Sequence, residues 1–338
     1  MVLASLRRTD AARADLQEAA ALLRRGGLVA FPTETVYGLG ADALNPRALE
    51  RIFEVKGRPR TNPLILHVSG LPMAQGLVAE LPLPARRLME AFWPGPLTLV
   101  LPKRPEVPDE VTAGGPTVAL RMPEHPLALA LLRTFGGPLA APSANRSEHV
   151  SPTTADHVHA DLGDRVDLIL DGGPCRTGLE STVVDLSSPV PRLLRPGPLP
   201  PSALEAVLGC PLGVPEAPQG VPRSPGQSRR HYAPALPVVL REPGKPLPDS
   251  GPLAWMSLEP THGGAPQISV RVEMPGDPVG YGRALYGVLR DLERLPLRGL
   301  VVDLPPDMPP WWAVRDRLHR AAAPTALPSS TTFLPERP

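Results

Sequence analysis

The chain has 338 residues, with 35 Lys and Arg against 34 Asp and Glu, a net charge of +1. That length suits two domains better than one core, and the balanced charge excludes the strong positive field of a protein held chiefly by phosphate backbones. Two cysteines, Cys175 and Cys210, are too few for a disulfide framework or a four-thiolate zinc site, so a reducing, cytoplasmic setting is expected. No apolar run follows Arg7 and Arg8 at the start, and none approaches the ~18 residues of a membrane span.

Helix-like and strand-like segments alternate over the first two hundred residues. Apolar Leu16, Ala19, Ala20 and Leu23 predict a helix from Asp10 to Gly26, followed by a strand over 28–31. Asn45-Pro46, a capping residue and a first-turn proline, opens a helix that stops near Gly57. Strands are expected over 64–68, 97–101, 117–121, 139–141, 168–170 and 181–186, with helices near 84–92 and 126–135. This pattern predicts an α/β domain with an open twisted sheet, and leaves parallel and mixed sheets both open. Nine prolines over 196–225, with little periodicity apart from a short run near 203–208, read as a linker. Beyond it, strands near 236–240, 268–272 and 300–304 and helices near 281–292 and 311–322 predict a smaller α/β unit. The expected domains are 1–205, a linker 206–235 and 236–338.

Several stretches carry polar groups suited to a ligand. Phe31-Pro-Thr-Glu-Thr-Val-Tyr-Gly-Leu-Gly40 leaves a strand with hydroxyls, a carboxylate and two glycines, and reads as a ligand loop or as a satisfied polar turn. Lys56, Arg58 and Arg60 crowd a helix C-terminus and are followed by Asn62, which fits a solvated basic turn or a polyphosphate clamp. Arg121 ends an apolar strand, where a guanidinium can meet a substrate carboxylate or form a surface ion pair. Ser143 and Asn145, with Ser147 and Ser151, follow the small residues Ala140 and Ala141. Gly178-Leu-Glu-Ser-Thr182 and Arg195 stay ambiguous. From Ala217 to Arg241 there is no acid, and that segment includes His231 and Tyr232. His157 and His159, two apart, read as surface residues and not metal ligands. Phosphate-loop, dinucleotide-binding, zinc-protease and nucleophile-elbow motifs do not occur.

Taken in this order, Pro-Thr-Glu-Thr-Val-Tyr-Gly-Leu-Gly, Lys-Gly-Arg-Pro with Asn-Pro-Leu-Ile, Trp93-Pro-Gly-Pro-Leu-Thr, Ala-Pro-Ser-Ala-Asn, Glu-Ser-Thr-Val-Val-Asp and His231-Tyr-Ala-Pro resemble the YrdC-like threonylcarbamoyl-AMP synthases, long form. The resemblance covers nearly all of residues 10–235. It implies a YrdC-like twisted open mixed sheet, a smaller Rossmann-like C-terminal domain, and a nucleotidyltransferase joining L-threonine, bicarbonate and ATP for a tRNA modification. Carried over by motif, Lys56 and Arg58 are the expected charge stabilisers. Arg58, Asn62, Thr117, Ser143, Asn145, Ser151 and Arg195 would hold ATP. Thr35, His67, Arg121, Ala141 and Ser181 would hold threonine. The linker, with His231 and Tyr232, would cross the site, although Gln227, Ser228 and Arg229 depart from the family's pattern there. Magnesium would accompany ATP, a separate transferase would use the product on tRNA, and RNA contact would be weak. Alternatives are an RNA-binding module without ATP turnover and carbamoyl adenylation for hydrogenase maturation, whose extra modules this sequence lacks.

Overall fold

In the computed structural model, the described residues are 6–8, 13–213, 230–242, 245–246, 248, 251–259 and 265–323, with backbone alone for 6–8 and 13–14. The first unit contains β1 (Leu6–Arg8), α1 (Arg13–Arg24), β2 (Val29–Phe31), β3 (Gly38–Asp42), α2 (Pro46–Lys56), β4 (Ile65–His67), α3 (Leu71–Gln75) and α4 (Leu83–Phe92). It continues through β5 (Leu97–Pro102), α5 (Asp109–Thr112), β6 (Thr117–Arg121), α6 (Pro126–Phe135), β7 (Leu139–Ala140), α7 (Ala155–Leu162), β8 (Leu168–Asp171), β9 (Thr182–Asp185), β10 (Arg192–Arg195) and α8 (Pro201–Leu208). These strands form one ten-stranded sheet in the order β1-β8-β2-β3-β7-β4-β6-β5-β9-β10. Parallel pairs such as β4 with β6 and antiparallel pairs such as β5 with β6 coexist, so the sheet is mixed.

Side-chain alternation divides the central strands between two faces. Leu66, Leu99, Leu101, Leu120 and Val184 point into the main core, whereas Ile65, Val100, Ala119 and Val183 form a small cluster on the other face. His67 and Arg121, each two residues beyond a member of that small cluster and paired in register, therefore project from the same face. This is the face that carries the site.

Two predicted features are corrected. The stretch after Phe31 does not run straight to a helix: Gly38–Asp42 is a strand antiparallel to β2 and bonded on its other edge to β7. Its glycines disguise it, and Gly40 is required because a Cβ there would lie 2.8 Å from the Phe31 ring. The stretch read as linker holds helix α8, whose buried Leu204 joins the main core. Residues 214–229 of the expected strap lie outside the described residues.

The second unit has β11 (Val238–Arg241), β12 (Leu253–Ser257), β13 (Ile268–Glu273), α9 (Pro278–Glu293), β14 (Gly299–Asp303) and α10 (Trp312–Ala322). All its strand pairs are parallel, in the order β11-β14-β12-β13. Sequence reading missed β12, a central strand whose residues are all buried or half-buried, so that it shows no two-residue alternation. The core of this unit continues into the first: Val36, Val150 and Leu179 pack in one cluster with Tyr281, Leu285 and Tyr286. Backbones also approach closely. A Cβ on Gly178, whose φ is 79°, would lie 2.6 Å from Cα of Arg283 in α9.

Candidate active site

Nine of the residues singled out from the sequence line one cavity on the open sheet face: Arg58, His67, Arg121, Ala141, Ser143, Ser181, Arg195, His231 and Tyr232. They come from the end of α2, the ends of β4 and β6, the turns after β7 and before β9, the end of β10, and the segment that enters the second unit.

One half of the cavity is cationic. The Arg58 guanidinium donates to the carbonyls of Asn62 at 3.1 Å and Pro63 at 2.8 Å, which fixes its direction. Burial lowers its pKa to about 10, so it stays protonated at neutral pH. Arg195 donates to the Ser181 carbonyl at 3.0 Å and its hydroxyl at 3.1 Å, and that hydroxyl lies 2.7 Å from Thr98 Oγ1. Lys56 is buried and donates to the carbonyls of Ser143, at 2.6 Å, and Asn145. It therefore ties the Ser-x-Asn turn to α2, a role that spacing alone did not reveal. Burial, with Arg58 nearby, pushes its pKa well down.

The other half is built on a buried ion pair, Arg121 Nη2 to Glu34 Oε1 at 2.8 Å. Beside it, His67 has a pKa lowered to about 3, first by burial and then by Arg121, so the imidazole is neutral. Among the described residues neither of its ring nitrogens has a partner with good hydrogen-bond geometry, although the side chain is buried and faces the cavity. A buried polar atom without a partner is costly, and here it is an open invitation to a ligand's polar group.

The remaining expected residues stand behind or beside the lining. Thr35 shares a 2.9 Å hydrogen bond with Thr33, which does line the cavity. Asn62 seats Arg58 through its carbonyl. Asn145 donates to the carbonyls of Arg146 and His149 at 2.8 Å. The Ser151 hydroxyl donates to Glu180 Oε1 at 2.6 Å. Thr117 is half-buried at the far end of β6, on the same face as Arg121. Sequence reading gave no role to Thr33, Val36, Gly38 or Glu180, all of which line the cavity. Glu34 and Glu180 were visible only as carboxylates inside flagged motifs.

His231 reaches the cavity with its pKa held well down by burial and by Arg58, Lys56 and Arg195. Its ring lies 4.0 Å from that of Tyr232, which adopts a left-handed backbone with φ of 59°. An aromatic residue in that region is strained, which marks the position as held by its surroundings. His157 is corrected from surface residue to half-buried: its Nδ1 accepts from the Thr153 backbone at 3.2 Å, and its pKa falls to about 4.

These histidines fix the pH response of the fold. His67 and His231 stay neutral when folded but take up protons near 6.5 when unfolded. Their share of stability is complete above pH 6.5 and is lost as the pH falls below it. The unfolding free energy from urea titrations should therefore drop between pH 7 and pH 5, by roughly 1 kcal/mol per pH unit for each buried neutral histidine, and the midpoint with it. A midpoint that rises on acidification would contradict the neutral assignment.

Comparison with known proteins identifies the family. A family model described as telomere recombination matches residues 21–197, and one described as the threonylcarbamoyl-AMP synthase C-terminal domain matches residues 200–323. A threonylcarbamoyl-AMP synthase of Bacillus subtilis is 50% identical over 231 residues, 67% of this chain and 66% of that protein. One from Pyrococcus abyssi is 50% identical over 228 residues, 66% of this chain and 67% of that protein. The alignments thus span about two thirds of those relatives' own length. The crystal structure of P. abyssi Sua5 complexed with L-threonine superposes with a TM-score of 0.84 at 38% identity, covering 93% of this chain and 96% of that one. With both family models in sequence order and this fold shared along almost its whole length, the chain belongs to the YrdC-like threonylcarbamoyl-AMP synthase family, in its long form with a C-terminal domain.

Proposed function

We propose that this chain is a nucleotidyltransferase that converts L-threonine, bicarbonate and ATP into threonylcarbamoyl-AMP and pyrophosphate. The observation that carries the reading is a single cavity with two chemistries. One half has Arg58 and Arg195 with Lys56 behind them, and suits a triphosphate. The other has Arg121, the neutral imidazole of His67 and the Ser181 hydroxyl, and suits a small hydroxy amino acid.

The chemistry needs no protein nucleophile. Bicarbonate loses hydroxide to give CO2, the neutral threonine amine bonds to that carbon, and the proton the nitrogen sheds joins the hydroxide as water, leaving a carbamate. A carbamate oxygen then bonds to the α-phosphorus of ATP as the bond to the β-phosphate oxygen breaks, and pyrophosphate leaves with that electron pair. Catalysis rests on holding the two substrates in line and on positive charge already oriented where charge accumulates. In this reading Arg58, Asn62, Thr117, Ser143, Asn145, Ser151 and Arg195 form the ATP side, with Lys56 and Arg58 the charge stabilisers. Thr35, His67, Arg121, Ala141 and Ser181 form the threonine side. His231 and Tyr232 exclude water from an anhydride that hydrolyses readily. Magnesium enters with the nucleotide phosphates. The product goes to a transferase that modifies tRNA, in the cytoplasm.

Pyrophosphate release from ATP by the full chain should require both threonine and bicarbonate. Equal turnover with serine, or with no amino acid, would overturn the substrate assignment. RNA affinity without turnover would favour a binding module instead.

A further inference from the structure

Glu180 is a carboxylate in the lining of a cavity proposed to hold phosphates, beside Arg195. Unneutralised, it would repel them. Its neutralising partner comes from the other unit: Arg317 of α10, with no exposed side-chain surface, donates from Nε to Glu180 Oε2 at 2.9 Å. Tyr286 of α9 donates its hydroxyl to the same oxygen at 2.9 Å. The rest of the Arg317 fork reaches the Glu180 carbonyl at 3.3 Å, the Pro196 carbonyl at 2.8 Å and the Asp316 carboxylate at 2.9 Å, a carboxylate that Arg320 also pairs and so keeps neutralised without Arg317. Those two carbonyls adjoin Ser181 and Arg195, which hydrogen-bond to one another in the cavity wall. The same guanidinium lies 5.2 Å from the centre of the Tyr232 ring, which also stacks on Tyr286.

We propose that Arg317 is a positioning residue of the active site, by which the C-terminal unit neutralises Glu180 and fixes Ser181, Arg195 and Tyr232 around the nucleotide. The inference rests on the ATP site proposed above. The physical case is that one planar fork satisfies acceptors on two separate turns and lies against a third segment, a geometry a lysine cannot reproduce. It also explains why Glu180 stays ionised: burial raises its pKa, but Arg317 and Arg195, with the Ser151 hydrogen bond, bring it below the usual value. The first unit by itself lacks this partner, so the C-terminal unit is part of the site and not an appendage.

The test compares full-length wild type, Arg317→Met, Glu180→Gln and the double variant by threonine-dependent pyrophosphate release, with thermal melting as a check on folding. Arg317→Met should raise the KM for ATP by about tenfold or more, because it leaves an uncompensated buried carboxylate facing the phosphates. The double variant, without that charge, should recover most of the rise, which a purely structural role for Arg317 would not give. An unchanged KM in folded Arg317→Met, or a double variant no better than Arg317→Met, would overturn the proposal. If Arg317→Met does not fold, Arg317→Lys decides the matter: it keeps the cation, loses the fork, and should show a smaller rise in KM that Glu180→Gln reverses, whereas a wild-type KM would refute the inference. Wild type that releases no pyrophosphate would instead defeat the underlying functional reading.

Discussion

Lys56→Met should lower threonine-dependent pyrophosphate release by about 100- to 1,000-fold, the scale set by removing one oriented charge from a water-excluded site. The fold should survive. Lys56 is buried with a pKa well below the ordinary 10.5, so folding works against its charge, and methionine fills similar space without one. A second readout follows from the sign of that shift. The unfolded chain binds a proton at Lys56 more readily than the folded one, so this residue adds stability as pH rises towards 10.5, and the variant should lack that slope. The carbonyls of Ser143 and Asn145 would lose their donor, so part of the activity loss should appear as a higher KM for ATP. A folded Lys56→Met protein keeping more than about a tenth of wild-type turnover would remove Lys56 from the catalytic reading.

Arg121→Gln should have the largest effect on stability, about 3–5 kcal/mol, because Glu34 would remain as a buried carboxylate without its cation. It should also raise the KM for threonine by at least about tenfold if the guanidinium receives the substrate carboxylate. The two effects are separable. Adding Glu34→Gln removes the stranded charge, so Glu34→Gln/Arg121→Gln should regain most of the urea midpoint yet bind threonine no better. Recovery of both together would make Arg121 a structural ion-pair partner and nothing more.

How much of this was legible beforehand depended on how local the cause was. Asn45-Pro46 set the start of α2 because the capping oxygen and the proline act within one turn: Asn45 Oδ1 accepts from the Arg47 and Ala48 amides at 3.1 and 3.4 Å. The β6 limits were read correctly because an apolar run ending in Arg121 has one register that buries the run. By contrast β3 and β12 escaped. Gly40 of β3 is dictated by Phe31 on a neighbouring strand, and β12 buries Ala254 and Met256 in a core shared with α9 and α10, which follow it in sequence.

The sequence by itself determined the element types over most of the chain, the family through six ordered motifs, and the chemical character of the site, because hydroxyls, amides and cations declare themselves wherever they fall. Only the tertiary structure decided which of them meet. It put Lys56 behind Ser143, gave Arg121 to Glu34, and brought Arg317 from α10 onto Glu180, 137 residues away. Such pairings depend on strand order and on the packing of one unit against the other. A charge has no preferred partner along the chain until burial removes the water that would otherwise satisfy it.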